Sequence, residues 1–440
     1  MNKVVEGFSK LSKEQKITWL TSHYFPKNPE AQNILKQYWN SNQKLQKLHD
    51  EFIENTITNY YLPLGIAPNF LINDKVHAIP MAIEESSVIA AASKAAKFWR
   101  LRGGFKASVI STEKIGQIHF MFKGHSQELQ NFFNLIKTDL INSIKGITQN
   151  MEKRGGGLTH IELRNKTAAL DNYYQLHCTF ETLDAMGANF INSCLEMMAK
   201  TLLEKATEFR GFSSKESDLE VVMSILSNYV PNCLVRAEVS CPVSQLNEDT
   251  SLSPETFAEK FVQAVAIAKI EPFRAVTHNK GIMNGIDAVV LATGNDFRAI
   301  EAGIHAYAAR NGSYSSLTDA KIEEGIFTFS IEVPMALGTV GGLTKLHPLV
   351  KLSMEMLGNP SAKELMEIIA VAGLAQNFGA IRSLITTGIQ KGHMKMHLLN
   401  ILNQLGATNE EKAYFTNYFK DKTVTHSDVV NEFNRVRTNV

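Results

Sequence analysis

The sequence predicts an α+β protein with more than one domain. Short β-type runs such as Ala107–Ser111 and His160–Arg164 are scattered among longer stretches that have the apolar spacing of helices. These runs do not follow the regular strand–helix alternation of a doubly wound parallel sheet. The chain has 440 residues, and at roughly 150 residues per domain this length suggests two or three domains. No Pro/Ser-rich linker separates them, so we expect the boundaries to lie in ordinary loops.

The charge balance and the apolar content are typical of a globular protein. Lys and Arg number 45 and Asp and Glu number 44, which leaves a formal net charge of +1. Broad nucleic-acid binding needs a basic stripe that displaces counterions from phosphates. The hydrophobic fraction is 44%, and no apolar run approaches the ~18 residues that span a bilayer. We therefore expect neither a nucleic-acid partner nor a membrane span.

The cysteines and the N-terminal segment predict a cytoplasmic protein. No C-x-x-C pair occurs, which argues against a zinc ribbon or a thioredoxin-type site. Four cysteines are too few for a disulfide scaffold of this length, so reduced and mostly buried thiols are expected. The segment Met1–Gly7 and its charged continuation lack the apolar core of a secretion signal.

The elements of the N-terminal part follow from caps and turn residues. Residues 8–55 carry a helical apolar stripe, and Ser12 is placed to start it. Residues 60–82 are punctuated by Pro and Gly, and Asn73-Asp74 predicts a hairpin turn. An Ala-rich helix is predicted over Val88–Arg100.

The rest of the chain mixes both kinds of element. Helices are predicted near 126–147, over Asp184–Phe209, from the capping box of Ser361 and Glu364 to about Leu384, and in a polar tail over 391–440. Further strands are predicted at Gln117–Phe122, Cys233–Ser240, Ala288–Thr293 and Ile326–Val333. The methionines and cysteines of the 184–209 helix have core spacing and do not indicate a cofactor site.

Two carboxylates, Glu84 and Glu85, stand where the Val88–Arg100 helix begins. They either favour the helix dipole or include a general acid. These roles conflict, because a helix N-terminus lowers a carboxyl pKa whereas an acid working near neutrality needs a raised one. Burial among the apolar residues Pro80–Ile83 is the condition that would permit the acid.

The segment Glu271–Asp287 crowds Arg, His, Asn and Lys around two glycines, which predicts a loop that presents polar groups. Asp296 follows the predicted strand Ala288–Thr293. Lys280 with Asp296 or Glu85 would form a buried lysine–carboxylate network, in which the ammonium stabilises an oxyanion. A purely structural ion pair explains the same spacing equally well.

Two glycine-containing segments are candidates for phosphate binding. In Asp184–Asn189, Asp184 is a plausible N-cap and Gly187 keeps the first helical turn slim, so a phosphate can approach free N–H groups. No G-x-G-x-x-G fingerprint occurs in the chain. The Arg154–Gly157 stretch is either a second such loop or a hairpin connection.

His393 and His397 are four residues apart and share a predicted helix face. Metal binding is the less favoured interpretation, because no H-E-x-x-H motif or nearby acid accompanies them. A catalytic or core histidine is favoured. Gly392 predicts a hinge before a mobile terminal element.

Over nearly its whole length, the chain resembles the class II, bacterial-type hydroxymethylglutaryl-CoA reductases. The matching segments, in order, are Glu54–Ile57, Leu62–Ala67, Pro80–Ser87, Asp184–Asn189, Thr277–Gly285, Thr293–Arg298, Gly373–Asn377 and Gly392–Met394. The resemblance implies the four-electron reduction of hydroxymethylglutaryl-CoA to mevalonate and CoA by two nicotinamide hydrides, as in the mevalonate pathway of isoprenoid biosynthesis.

The resemblance also implies roles for individual residues. Lys280 would polarise the thioester carbonyl, Glu85 would supply a proton at the aldehyde stage, Asp296 would tune both through shared hydrogen bonds, and His393 would protonate the departing CoA thiolate. The acyl group would be held by Ser87, Arg274 and Asn284, and the cofactor by Asp184, Met186, Gly187, Asn189 and His160. No metal is implied.

The architecture implied by the resemblance is a small nicotinamide-binding domain inserted into a large helix-centred domain that binds CoA and substrate. The expected ranges are 1–110 and 222–378 for the large domain, 111–221 for the antiparallel-sheet insert and 379–440 for a helical C-terminal flap. Two subunits are expected to build each active site, which implies a homodimer and leaves a higher oligomer open.

One position departs from the pattern of NAD-using members of that family, which carry an acid shortly after the Gly-Gly-Gly loop. Here His160 stands at that position, with Lys153, Arg154 and Arg164 near in sequence. A carboxylate repels a ribose phosphate and a histidine does not, so NADPH is expected in preference to NADH. Glu162 remains an alternative ribose ligand.

Two alternatives to the biosynthetic reductase remain at this point. One is the same chemistry run in reverse, for mevalonate catabolism, and NADPH use argues against it. The other is an inactive CoA-ester-binding protein, which is disfavoured because the Glu, Lys, Asp and His positions are all filled.

Overall fold

The computed structural model describes residues 3–212, 219–246, 252–342, 346–386, 388, 398–420, 422 and 424–438. It divides the chain into two compact units, Met1–Pro63 and Leu64–Val440. In the first unit, a 3-10 helix at Phe8–Lys10 precedes α1 (Lys13–Tyr24), α2 (Ala31–Gln37) and α3 (Gln43–Asp50). Ser12 starts α1 with a capping box to Gln15, which confirms the predicted start.

The second unit begins with a β-hairpin and a helix. Strands β1 (Leu64–Ile72) and β2 (Lys75–Ala82) pair antiparallel, and helix α4 covers Val88–Arg100, as predicted. Asn73 and Asp74 both have positive φ, 46° and 67°, which is the conformation of a tight hairpin turn. The predicted turn is therefore confirmed.

A four-stranded antiparallel sheet lies wholly within residues 114–226. Its strand order is β5-β6-β4-β7. The strands are β4 (Lys114–Phe122), β5 (Gly157–Asn165), β6 (Tyr173–Glu181) and β7 (Leu219–Leu226). Helices α5 (Ser126–Ser143), α6 (Lys145–Glu152) and α7 (Ala188–Glu208) are interleaved with them. One face of this sheet and residues of these helices share a hydrophobic core that includes Ile118, Phe180, Phe132 and Leu195.

A second four-stranded sheet is built from segments on either side of that module. Its order is β3-β8-β10-β9, and all its pairings are antiparallel. The strands are β3 (Lys106–Val109), β8 (Leu234–Pro242), β9 (Thr318–Glu323) and β10 (Ile326–Pro334). A short 3-10 helix, Val243–Gln245, follows β8. Both sheets are antiparallel and mixed irregularly with helices, so the predicted α+β class is confirmed.

Helices form the centre of the large core. They are α8 (Pro254–Ile270), α9 (Pro272–Ala292), α10 (Phe297–Ala308), α11 (Pro348–Met356) and α12 (Ala362–Ile385). The predicted capping box of Ser361 and Glu364 starts α12. Within the described ranges, α12 is the one helix that passes a length and composition test for a membrane span, and 72% of its most apolar window is buried inside the protein. Gln376, Asn377 and Arg382 interrupt its apolar sequence, so the sequence contains no unbroken apolar run of spanning length there.

The C-terminal part described by the structure is helical. It comprises residues 398–404, Asn409–Tyr418 and His426–Thr438. These helices have a hydrophobic cluster of their own, including Leu402, Phe415 and Val429.

Candidate active site

Glu85 and Lys280 form the ion pair that the sequence allowed. The Lys280 Nζ donates to Glu85 Oε2 at 2.6 Å, and the Asn284 Nδ2 donates to the same oxygen at 3.3 Å. The Lys280 side chain is 60% exposed and that of Glu85 is 34% exposed. The expectation of a buried network is therefore wrong for a single chain, in which this cluster opens to solvent.

Helix α9 positions Lys280 and Asn284. The sequence predicted a loop over Glu271–Asp287 and a strand over Ala288–Thr293, and both predictions are wrong because α9 runs unbroken from Pro272 to Ala292. Glu271 caps the helix by accepting the Arg274 N–H at 2.6 Å, and Pro272 suits its first position. Lys280 and Asn284 are four apart and so lie on one helix face.

The glycines of α9 do not break the helix. A Cβ on Gly285 would lie 2.5 Å from the carbonyl oxygen of Ala372, and one on Gly373 would lie 2.8 Å from the Ile286 side chain. Gly285 and Gly373 therefore let α9 and α12 approach closely. This packing fixes α9 against the buried helix α12 and leaves Lys280 on the side of α9 that faces solvent.

Glu84, Glu85 and Ser87 lie in the connection between β2 and α4. Ser87 occupies the N-cap position with φ 75°, a left-handed conformation that is uncommon for a non-glycine residue, and its side chain makes no capping hydrogen bond. Backbone strain of this kind is concentrated at functional sites. Glu84 is exposed, in keeping with a dipole role.

Asp296 lies elsewhere in the single chain. It is the N-cap of α10, and its Oδ1 accepts the N–H groups of Arg298 and Ala299 at 3.1 and 3.2 Å. Among the described contacts, none within 4.0 Å joins Asp296 to Lys280 or Glu85. The structure therefore brings together three of the predicted residues, Glu85, Lys280 and Asn284, and leaves Asp296 apart.

Arg274 is a half-buried cation on the first turn of α9. Burial lowers the pKa of its guanidinium. Within the part of the chain that the structure describes, it forms no ion pair with a carboxylate. An unpaired, partly desolvated guanidinium is suited to a carboxylate ligand.

The predicted cofactor segment Asp184–Asn189 forms a turn before α7. The N-cap of α7 is Gly187, with φ 94°, and not Asp184 as predicted. The Asp184 Oδ1 instead accepts the N–H of Ala362, the first residue of α12, at 2.8 Å. A Cβ on Gly187 would lie 2.6 Å from Thr182, so only glycine fits.

His160 lies on the face of the small sheet opposite its helices. It is 58% exposed, and its Nε2 is 3.9 Å from Glu162 Oε2. Arg164 donates to Glu162 at 2.5 Å and lowers the pKa of that carboxyl. These residues and His177 line a cleft of about 480 Å³. The Arg154–Gly157 stretch joins α6 to β5, so a hairpin connection is the wrong description of it.

His393 and His397 lie outside the described residues, so the structure does not place them. In the described ranges, no group of three or more His, Cys, Asp and Glu side chains is arranged to hold a metal ion. All four cysteines are free and buried.

Sequence analysis missed two charged residues near these segments, the partly buried Asp287 and the buried Lys114. Asp287 follows Lys280 and Asn284 on α9 at helical spacing, and it interacts with Glu301 of α10. Recognising α9 as a helix would have revealed it. Lys114 starts β4 and contacts the Asp184 turn, but a single lysine at the start of a strand carries no sequence signal of such a contact.

The chain is similar to known proteins over most of its length. Residues 14–398 match the family model described as hydroxymethylglutaryl-coenzyme A reductase. The 3-hydroxy-3-methylglutaryl-coenzyme A reductase of Archaeoglobus fulgidus is 38% identical over 412 residues, covering 93% of this chain and 89% of the relative.

Solved structures agree as well. The Streptococcus pneumoniae reductase aligns with a TM-score of 0.71 at 34% identity, over 98% of this chain and 99% of that one. A second structure, described as the class II enzyme of that species bound to NADPH in open conformations, aligns with a TM-score of 0.70 at 35% identity over 86% and 99% of the two chains. With the matched segments and the Glu85–Lys280–Asn284 cluster on one fold, the chain belongs to the hydroxymethylglutaryl-coenzyme A reductase family.

Proposed function

We propose that the chain converts hydroxymethylglutaryl-CoA and two reduced nicotinamide cofactors, with two protons, to mevalonate, free CoA and two oxidised cofactors. Membership of the family and the pairing of Glu85 with Lys280 carry this proposal. The nicotinamide supplies a hydride at the thioester stage and again at the aldehyde stage.

Lys280 and Glu85 act on the reacting oxygen. The exposed ammonium of Lys280 stabilises the negative charge that develops on the carbonyl oxygen after each hydride addition. Glu85 lies within 2.6 Å of that ammonium, so once its carboxylate has taken up one of the two protons that the reaction consumes, it can pass that proton to an oxygen held there. Asn284 donates to Glu85 and orients it, and Ser87 and Arg274 are the proposed holders of the acyl hydroxyl and carboxylate.

In our proposal, Asp296 joins the network of Lys280 and Glu85 only when two subunits associate. In one chain it caps α10 and does not reach Lys280. A homodimer that shares its active site explains this separation. The solvent-facing apolar residues beside the site support a dimer, since Ile267, Ile270, Phe273 and Val276 are all more than half exposed.

The start of α7 is the proposed seat of the cofactor phosphates. No side chain caps its N–H groups, and the glycine that the close contact with Thr182 requires at position 187 allows the left-handed turn into the helix. Met186 and Asn189 flank this turn, and a cleft of about 670 Å³ lies beside Asp184. These residues fit a dinucleotide phosphate.

NADPH is the proposed cofactor. The S. pneumoniae structure is described as NADPH-bound, and His160 here replaces the acid expected of NAD-using members. Glu162 is engaged by Arg164, which neutralises much of its repulsion toward a ribose phosphate. NADPH use supports the biosynthetic direction, and the four free, buried cysteines support a reducing, cytoplasmic location.

The proposed domain division extends the cofactor-binding insert to 111–226, because β7 of its sheet runs to Leu226 and the expected boundary at 221 falls inside that strand. The large domain then comprises 1–110 and 227–385, since α12 continues unbroken past the expected boundary at 378, and the flap that carries His393 follows Ile385. The hydrophobic clusters at 118–202 and 398–433 support separate modules. His393 protonates the CoA thiolate in this proposal.

The testing experiment is a spectrophotometric assay at the nicotinamide band with hydroxymethylglutaryl-CoA and each cofactor in turn. We expect oxidation of about two cofactors per CoA released, and a higher kcat/KM for NADPH. No turnover with either cofactor overturns the proposed reaction. Turnover with a strong NADH preference overturns the cofactor assignment alone.

A further inference from the structure

Lys114 is a buried lysine beneath the turn that precedes α7. It is 3% exposed and stands at the first position of β4, where it pairs in register with Phe180. Its Nζ donates to the carbonyl oxygen of Ala185 at 2.9 Å and to the Thr182 hydroxyl. No residue role assigned above involves this side chain.

Thr182 links the two contacts of Lys114. Its hydroxyl accepts from Lys114 and donates to the Ala185 carbonyl at 2.7 Å, so that carbonyl receives two hydrogen bonds. Because a peptide unit is planar, fixing this carbonyl also fixes the orientation of the Ala185–Met186 peptide. The position of the chain entering Gly187 follows from it.

Two other segments hold the same turn from outside β4. The Asp184 carbonyl accepts the Thr339 N–H at 2.9 Å, and the Asp184 carboxylate accepts the Ala362 N–H at 2.8 Å. A Cβ on Gly338 would lie 2.7 Å from the Met186 nitrogen, so the two backbone segments pack too closely for a side chain to fit between them. Lys114 is the one charged donor among these contacts.

The environment of Lys114 is unfavourable for stability alone. Burial lowers its pKa, although Glu181 and Asp184 act in the opposite direction. Within the described residues, no carboxylate lies within 4.0 Å of its ammonium. An apolar side chain of similar length would avoid this desolvation cost, so a lysine here indicates a task other than filling space.

We propose that Lys114 is a positioning residue for the nicotinamide cofactor, which it serves by fixing the Thr182–Gly187 turn that leads into α7. The inference rests on the proposed function, in which the start of α7 receives the cofactor phosphates. Lys114 acts through the backbone and does not touch the reacting atoms.

The test compares Lys114→Met with the wild-type enzyme. Methionine keeps the length of the side chain and removes its charge and its donors. We expect the cofactor KM, and the Kd from NADPH fluorescence titration, to rise about tenfold, with the KM for hydroxymethylglutaryl-CoA within about twofold of wild type. Lys123→Met, at the exposed residue that follows β4, is the matched control and should leave both constants unchanged.

Thr182→Val is the second variant, in case Lys114→Met does not fold. It removes the hydroxyl that both Lys114 and Ala185 use, and a smaller rise in the cofactor KM is expected. In the double variant the two effects should be less than additive, because both act on one network.

The proposal is wrong if the wild-type enzyme is active and a folded Lys114→Met or Thr182→Val variant keeps the wild-type KM and Kd for the cofactor. A merely structural role would change the melting temperature and leave those constants unchanged. Inactivity of the wild-type enzyme instead overturns the proposed function, so the two failures are distinguishable.

Discussion

The ion pair of Lys280 with Glu85 was anticipated from the types of residue and their neighbours, whereas its setting was not. The resemblance indicated both residues, but only the structure shows that Asn284 donates to the same carboxylate. The helical face that joins Lys280 to Asn284 could not be seen while the segment was interpreted as a loop. Residue identity was thus predictable, and residue geometry depended on the correct secondary structure.

Replacing Lys280 with alanine should abolish turnover and preserve the fold. The side chain is 60% exposed, so its loss leaves no cavity. Removing the cation that we propose stabilises the oxyanion should lower kcat by about 100-fold or more. Steady-state assays measure this, and circular dichroism checks the fold.

Lys260→Ala, on the exposed surface of α8, is the matched control and should retain wild-type kcat. Near-native activity of Lys280→Ala would contradict the oxyanion role.

His278 makes the stability of the enzyme depend on pH. It is buried, its Nε2 contacts the hydroxyl groups of Thr318 and Ser316, and burial lowers its pKa from 6.5 to about 3. Between these values the unfolded chain holds a proton that the folded chain lacks. The free energy of unfolding should therefore fall by about 3 kcal/mol as the pH drops from 7 to 4.

Denaturant unfolding of wild type and His278→Gln across this range measures the effect. The variant should show a shallower pH dependence, by about one proton. His125→Gln, at an exposed position, should keep the wild-type slope. Parallel curves for wild type and His278→Gln would refute the assignment.

Helix α9 shows where local sequence rules misled at the scale of elements. Gly281, Gly285 and the Arg, His, Asn and Lys residues around them suggested a loop, because glycine is usually a turn residue. Here Gly285 is required by the close approach of α12, a tertiary contact more than 80 residues away in sequence. Caps and turns that depend on local residues, such as Ser361 with Glu364 or Asn73 with Asp74, were predicted correctly.

Asp287 of α9 and Glu301 of α10 couple the packing of these helices to pH. Burial and the neighbouring Glu301 raise the pKa of Asp287. The folded protein therefore holds a proton that the unfolded chain has released, and stability should fall as the pH rises from about 4 through the raised pKa. Asp287→Asn should be more stable than wild type at pH 8 to 9.

Thermal unfolding of both proteins between pH 5 and 9 checks this expectation. The difference between them should shrink toward pH 5. Asp171→Asn, at an exposed position, should follow the wild-type curve. A stability gap that does not vary with pH would contradict the raised pKa of Asp287.

At the scale of the whole molecule, the α+β class was predictable because it needs only the irregular order of strands and helices. The strand order was not predictable, since β3 pairs with β8 although all the strands of the small sheet lie between them in the sequence. The position of Asp296 could not be predicted either, because sequence spacing places it near Lys280 whereas the fold uses it to cap α10.

A substitution on the exposed apolar surface tests the proposed dimer. Phe273 is 87% exposed at the start of α9, on the helix that carries Lys280. Phe273→Glu places a charge on that surface and should yield monomers with strongly reduced kcat, measured by light scattering and by the assay. Leu135→Glu, exposed on α5, should remain dimeric and active. A fully active monomeric wild type would refute the shared site.

The pairing of β3 with β8 has a consequence for how the chain folds. Lys106–Val109 and Leu234–Pro242 meet only after the long segment between them has closed a loop, and an unfolded loop of that length has a large entropic cost. If the β5-β6-β4-β7 sheet folds first, it compacts the segment between β3 and β8 and lowers the entropic cost of closing that loop. We therefore expect the small sheet to acquire hydrogen-exchange protection first in refolding, with the β3–β8 ladder forming in a later and slower phase.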